Sequence, residues 1–199
     1  MSQTIRSAEM TRATGETDIA VSFTIDGSGE SVVGSGNSFF DHMLTLFAKH
    51  GLFDLEVKCL GDIEIDFHHS CEDIGITMGR AFAKALGDKR GIMRYAHSYI
   101  PMDETLVRTS LDICGRTNLY YEENLRDRTI NDFEVDLTYD FLKAFCDAAQ
   151  LTLHVDILKA RNSHHAIEAI FKSFGRSLRF ACTIDDRAAG AIPSTKGTL

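Results

Sequence analysis

A short pattern, His-His-x-x-Glu, occurs twice in this chain, at His68-His69-Ser70-Cys71-Glu72 and at His164-His165-Ala166-Ile167-Glu168. Both copies stand at one offset, since 164 − 68 and 168 − 72 each give 96. The flanking segments agree as well. HHSCEDIGITMGRAF (68–82) aligns with HHAIEAIFKSFGRSL (164–178), sharing an isoleucine and a Gly-Arg pair besides the motif. FDLEV (53–57) matches TLHV (152–155) at nearly the same spacing. Several coincidences at one period mark a duplicated unit. A single domain of two related halves is therefore expected, about 1–90 and 91–185, with a tail at 186–199.

Hydrophobic periodicity gives the content of each half. Residues 4–13 and 18–26 read as strands around the turn Thr14-Gly15-Glu16, with Ile19, Val21, Phe23 and Ile25 alternating. Gly27 to Gly36 reads as a Gly/Ser-rich loop. Phe39, Met43, Leu46 and Phe47 recur at helical spacing within 38–49. Phe53, Leu55 and Val57 alternate as a strand, as do Ile63, Ile65 and Phe67, before a helix at about 70–86. The second half repeats the order: strands at 95–100 and 106–113, a helix at 138–149, a strand from 151 to 155, and a helix from 164 to about 182. The expected class is α/β, more narrowly α+β: two pseudo-two-fold β-β-α-β-α halves whose sheets carry helices on one face.

Adjacent side chains on a helix point apart, so each histidine pair splays. His68 and Glu72, or His69 and Glu72, are neighbours at i,i+4 and i,i+3 near a helix start. Neutral imidazole and carboxylate are good ligands for Mn, Fe, Co, Ni or Zn. One such pair is ordinarily a cap or a solvated polar pair; the retained glutamate in a second copy points to metal. His42 lies on the helix preceding the first pair, and Asp140 on the helix preceding the second. The candidate ligands are His42, His68, His69, Glu72, Asp140, His164, His165 and Glu168. Two ions, each drawing on both halves or on a neighbouring chain, would use them all. No cysteine stands at ligand-like spacing, which disfavours a structural zinc cage. The nitrogen and oxygen donor set suits an octahedral ion, manganese above all.

Other residues fall around this constellation. Arg94, Arg116, Lys172 and Lys196 are cations that could hold a phosphate, with Ser194-Thr195-Lys196-Gly197 resembling an anion cradle. Glu16, in the first hairpin turn, is a candidate acid/base, and Asp103-Glu104 a second acidic candidate, Asp103 being favoured as catalytic. A net charge of −8 argues against nucleic acid as a partner, but not against a small anion held by local cations. Five cysteines, odd in number and without Cys-x-x-Cys spacing, fit reduced thiols. With no apolar run of membrane-spanning length, the expected location is cytoplasmic. Metal ions here could serve a lyase, generate hydroxide for a hydrolase, or simply be stored.

DHMLTLFAKHGLFDLEV, GDIEIDFHHSCEDIGITMG, YIPMDETLVRTSLDICGR and TLHVDILKARNSHHAIEAIFKSFGRSLRFA closely resemble the imidazoleglycerol-phosphate dehydratase family. The resemblance runs from RATGET (12–17) to STKG (194–197). It implies a Mn2+-dependent lyase of histidine biosynthesis with two Mn2+ per subunit. Its substrate would be a small phosphorylated imidazole, converted from imidazole glycerol phosphate to imidazole acetol phosphate. It also implies a homo-oligomer of about 24 subunits built from trimers, with metals at subunit interfaces. The implied ligands are the eight side chains named above. Substrate contacts would come from Glu16, Arg94, Arg116, Lys172, Ser194 and Lys196, with Glu16 as acid/base. Three positions depart from the family pattern: Asp140 where histidine is usual, Phe67 where an aspartate usually precedes the pair, and Thr117-Asn118 for a common Pro-Tyr.

Overall fold

In a computed structural model, residues 5–122, 125–188 and 190–199 are described; residue 4, the first of the expected strand 4–13, lies outside them. The first half builds β1 (Ser7–Ala13), β2 (Thr17–Thr24), β3 (Ser31–Gly34), α1 (Ser38–Gly51), β4 (Asp54–Gly61) and α2 (His68–Leu86). The second builds β5 (Tyr95–Met102), β6 (Thr105–Asp112), β7 (Asn118–Tyr121), the short β8 (Thr129–Ile130) and β9 (Phe133–Glu134), α3 (Leu137–Ala149), β10 (Thr152–Lys159) and α4 (Ser163–Cys182). Each half forms a four-stranded sheet, ordered β1-β2-β4-β3 and β5-β6-β10-β7. The third strand of each runs parallel to its neighbour, and the other pairings are antiparallel.

Two expectations need correction. Gly27 to Gly36 is not all loop, because Ser31–Gly34 pairs with Leu55–Lys58 as β3. The unit is thus β-β-β-α-β-α, with β7 as the matching strand in the second half. Ile63-Ile65-Phe67 is not a strand. Both edges of β4 are already taken by β2 and β3, so the chain leaves through a turn in which Ile65 N–H donates to the Asp62 carbonyl at 2.8 Å.

Strand alternation carries the core. Ile19, Val21 and Phe23 of β2 point inward at 0, 3 and 0% exposure while their neighbours face outward. The helices fill the space between the two sheets: α2 lies on β1 and β2, α4 on β5 and β6, while α2 packs against α3 and α1 against α4. Partners in each helix pair therefore come from different halves. Their phenylalanines interlock, Phe47 with Phe174 at 5.3 Å and Phe82 with Phe145 at 5.8 Å between centroids. Burying each such side chain contributes roughly 1.5–3 kcal/mol.

The glycine of the repeated Gly-Arg pair sets how closely the helices approach. A Cβ at Gly79 of α2 would fall 2.6 Å from Phe145 O, and one at Gly175 of α4 would fall 2.5 Å from Phe47 O. The backbones touch there, and only glycine leaves the room. Behind α4, the buried hydroxyls of Ser98, Thr109, Ser173 and Ser177 satisfy one another, with Thr109 Oγ1 2.8 Å from both Ser173 Oγ and Ser177 Oγ. Behind α2, Asp73 accepts from Arg12 Nε at 2.8 Å and Thr17 Oγ1 at 2.6 Å.

Candidate functional site

The helix pairing brings the motif residues together. α1 and α4 run the same way, His42 meeting His164 and Glu168 near their starts and Gly51 meeting Gly175 further on. Asn37 begins α1 by accepting from Phe40 N–H at 3.0 Å. Asn162 begins α4 by accepting from His164 N–H at 2.9 Å and His165 N–H at 3.3 Å. At the start of α2, Asp66 accepts from His68 N–H at 2.8 Å. Phe67 instead buries its ring against Phe40 at 5.6 Å. The capping carboxylate is thus supplied one residue before the aromatic.

Two trios result, each spanning both halves. In the first, His164 Nε2 lies 3.2 Å and His42 Nε2 3.5 Å from Glu168 Oε2. These three donor atoms all lie within 4.8 Å of one another. Glu168 is buried and also pairs with Lys172 Nζ at 2.5 Å. Burial pushes its carboxyl up, but Lys172, His164 and His42 together hold it below its ordinary value. In the second set His68 Nδ1 lies 3.5 Å from Asp140 Oδ2, and Glu72 belongs to it by its place one helical turn on from His68, the three donor atoms not gathering within 4.8 Å as those of the first do. This trio is looser than the first and opens on a cleft of about 390 Å³ lined by Asp66, His68, Asp132 and Glu134.

The second histidine of each pair turns away. The rings of His68 and His69 stand at 80° and those of His164 and His165 at 88°, centroids 6.1 Å apart in both. His69 Nδ1 sits 3.0 Å from Asp62 Oδ2, and its Nε2 faces Glu16 Oε1 at 3.8 Å. The hydrogen bond with Asp62 raises the His69 pKa against partial desolvation, with Glu16 adding to the rise. His165 Nδ1 sits 3.0 Å from Glu104 Oε2, while Glu104 Oε1 accepts from Asn162 N–H at 3.0 Å. That hydrogen bond with His165 brings the Glu104 carboxyl down to about 2. A carboxylate accepting at Nδ1 fixes the proton there and leaves Nε2 a free lone pair, the arrangement of a ligand held from behind.

Asp103 occupies the tip of the β5–β6 hairpin with φ 49° and groups with Glu104 and His165, but it is Glu104 that accepts from Asn162 N–H and pairs with His165 Nδ1. Glu16 and Glu104 hold matching places, each directly before the threonine that opens the second hairpin strand, Thr17 or Thr105. That Glu-Thr step was visible in the sequence. Asp62 carried no such signal.

The cationic candidates divide. Arg94 is tied to Asp112, with Nε 2.8 Å from Oδ1, and its Nη1 donates to the Pro193 carbonyl at 2.8 Å. Ser194 and Lys196 lie in the tail just beyond, where Gly197 N–H closes a turn onto Ser194 O at 3.1 Å. Leu199 then packs beside Gly115, next to the exposed Arg116. Arg94, Arg116, Ser194 and Lys196 therefore share one end of the molecule. Lys172 lies apart from them, near Met102 at the far end of β5. α4 spans about 27 Å from His164 to Cys182 at 1.5 Å per residue, so the tail and the trios of one chain stand at opposite ends.

Donor type and spacing in the first trio suit a divalent transition ion, so the residues fit a metal. Comparison with known proteins agrees in kind. A family model described as imidazoleglycerol-phosphate dehydratase matches residues 35–178. The chain belongs to the imidazoleglycerol-phosphate dehydratase family. Imidazoleglycerol-phosphate dehydratase from Azoarcus sp. (strain BH72) is 54% identical over 195 residues, covering 98% of this chain and 100% of that one. The protein of that name from Polynucleobacter asymbioticus is 51% identical with the same coverage. Among solved structures, the imidazoleglycerol-phosphate dehydratase of Staphylococcus aureus subsp. aureus N315 superposes with a TM-score of 0.82 at 37% identity, covering 90% of this chain and 99% of that chain. IGPD from Pyrococcus furiosus in complex with (S)-C348 gives 0.83 at 34%, covering 96% and 100%. As a member of the imidazoleglycerol-phosphate dehydratase family the chain is an enzyme, a hydro-lyase of histidine biosynthesis. Among the described residues, no helix is long and apolar enough to cross a membrane.

Proposed function

We propose that the protein dehydrates D-erythro-imidazole glycerol phosphate to imidazole acetol phosphate and water, with two Mn2+ per subunit held by the two trios and the outward-facing histidines. The carrying observation is the His42–His164–Glu168 cluster, three donor atoms within 4.8 Å, in a chain of this family. Ions held by these residues would supply Lewis acidity toward an imidazole ring. The residues supply the rest. Glu16, beside His69, moves the proton that leaves carbon or the one that departs with the hydroxyl. Asp62 and Glu104 keep His69 and His165 aimed. Asp103, at the hairpin tip, is placed to take part in proton transfer beside them.

Arg94, Arg116, Lys172, Ser194 and Lys196 are the phosphate-contact set in this reading. The separation of about 27 Å between the tail and the trios means that one small substrate cannot touch both within one chain. A neighbouring subunit must bring its trios, or its tail, to complete a site. This supports a homo-oligomer, with the 24-subunit, trimer-built assembly as its proposed form and the cytoplasm as its location.

Incubation with imidazole glycerol phosphate and Mn2+ should yield the acetol with no phosphate release. Free phosphate would instead indicate a metal-dependent hydrolase. Metal uptake without turnover would indicate storage. Glu16→Gln should depress kcat while leaving metal content unchanged; normal turnover in that variant would remove Glu16 from the chemistry.

A further inference from the structure

The duplication gives the two trios matched frames but unequal chemistry. His42 on α1 answers to Asp140 on α3. One trio thus offers two imidazoles and a carboxylate; the other (His68, Glu72, Asp140) offers one imidazole and two carboxylates. Lys172 stands one turn beyond Glu168 and pairs with it at 2.5 Å. The same place after Glu72 is taken by Ile76, which brings no charge. The Lys172 ammonium cancels the only carboxylate of the first trio, whereas among the described residues Glu72 and Asp140 pair with no lysine or arginine. Asp66, Asp132 and Glu134 line the cleft beside His68 and add to that negative field. His69 and His165, if each completes one centre, add one nitrogen to both and leave the difference intact.

Nitrogen donors favour borderline ions, and charged oxygen donors favour hard ones. We propose that the two metal centres are chemically differentiated. The His42 centre selects ions such as Zn2+, Ni2+ or Co2+, and the Asp140 centre selects Mn2+ or Mg2+. This rests on the reading that the trios hold metal. Affinity for zinc exceeds that for manganese at most N/O sites, so the difference shows in the ratio of the two metals at each centre.

The test uses crystals of the full-length protein equilibrated with equimolar Mn2+ and Zn2+, with anomalous maps recorded at both absorption edges. The Zn-to-Mn occupancy ratio is expected to be severalfold higher beside His42 than beside Asp140. Asp140→His should bring the two ratios together, while Ile76→Lys should lower total occupancy at the Asp140 centre alone. Equal ratios in the unmodified protein, or manganese enriched beside His42, would overturn the proposal. Anomalous peaks at neither centre would overturn the metal-binding reading itself, a result distinct from equal ratios.

Discussion

Replacing Gly175 by alanine tests how tightly the two halves are locked together. Alanine is the better helix former by about 1 kcal/mol, so on propensity alone the variant gains stability. The geometry opposes this. The new methyl would lie 2.5 Å from Phe47 O and 3.2 Å from Gly51 N. Both are backbone atoms, which no rotamer change can move, so α1 must draw back from α4 by several tenths of an ångström. Overpacking of this kind costs about 1–3 kcal/mol. Set against the propensity gain, the net loss is up to about 2 kcal/mol, or as much as roughly 8 °C in Tm for a chain of this size. Gly79→Ala should behave alike, since its methyl would meet Phe145 O at 2.6 Å and the Ala148 Cβ at 2.7 Å. Gly15→Ala is the control, with nothing within 4 Å of its added methyl. Thermal unfolding by circular dichroism, at one protein and metal concentration, reads all three. A Tm for Gly175→Ala at or above that of the parent would refute the account of the helix contact.

Two further outcomes follow from the ionisable groups. Glu104, with its folded pKa lowered to about 2 from an ordinary 4.5, contributes stability that is complete above the ordinary value and fades as pH falls through about 2; in metal-free protein, carboxyl NMR should find it ionised at a pH of roughly 3.5, and a midpoint at or above the ordinary value would contradict the His165 contact. Burial pushes the thiols of Cys71 and Cys146 well up and that of Cys182 to about 12, so a thiol reagent should leave all three unmodified until the protein unfolds. Rapid labelling of any of them in native protein would place it outside the core.

Much of this was legible because the chain states it twice. The repeated His-His-x-x-Glu located both helix starts, and alternation located β2, β4 and β10. β3 escaped because its residues sit in a Gly/Ser-rich stretch, and its pairing is parallel to a strand more than twenty residues away. Ile63 and Ile65 misled for the opposite reason: their alternation is real, but they are 55 and 67% exposed because β4 has no free edge to offer them. At the site, residue type pointed to His42, His164 and Glu168. The i,i+4 spacing also put Lys172 beside Glu168, yet nothing in spacing said that Arg94 would be held by Asp112 or that Asp62 would stand behind His69. Those are facts of tertiary contact, and a sequence carries them only through the fold.

Because α1 rests on α4 and α2 on α3, neither half of the chain can close its own interior. A half-length progenitor would have had to clasp a twin, presenting two indistinguishable His-and-Glu pockets related by a dyad. Joining the copies end to end removed the obligation to stay identical. The histidine at one pocket and the aspartate at its counterpart record that release: after fusion, a mutation alters a single pocket where once it would have altered both.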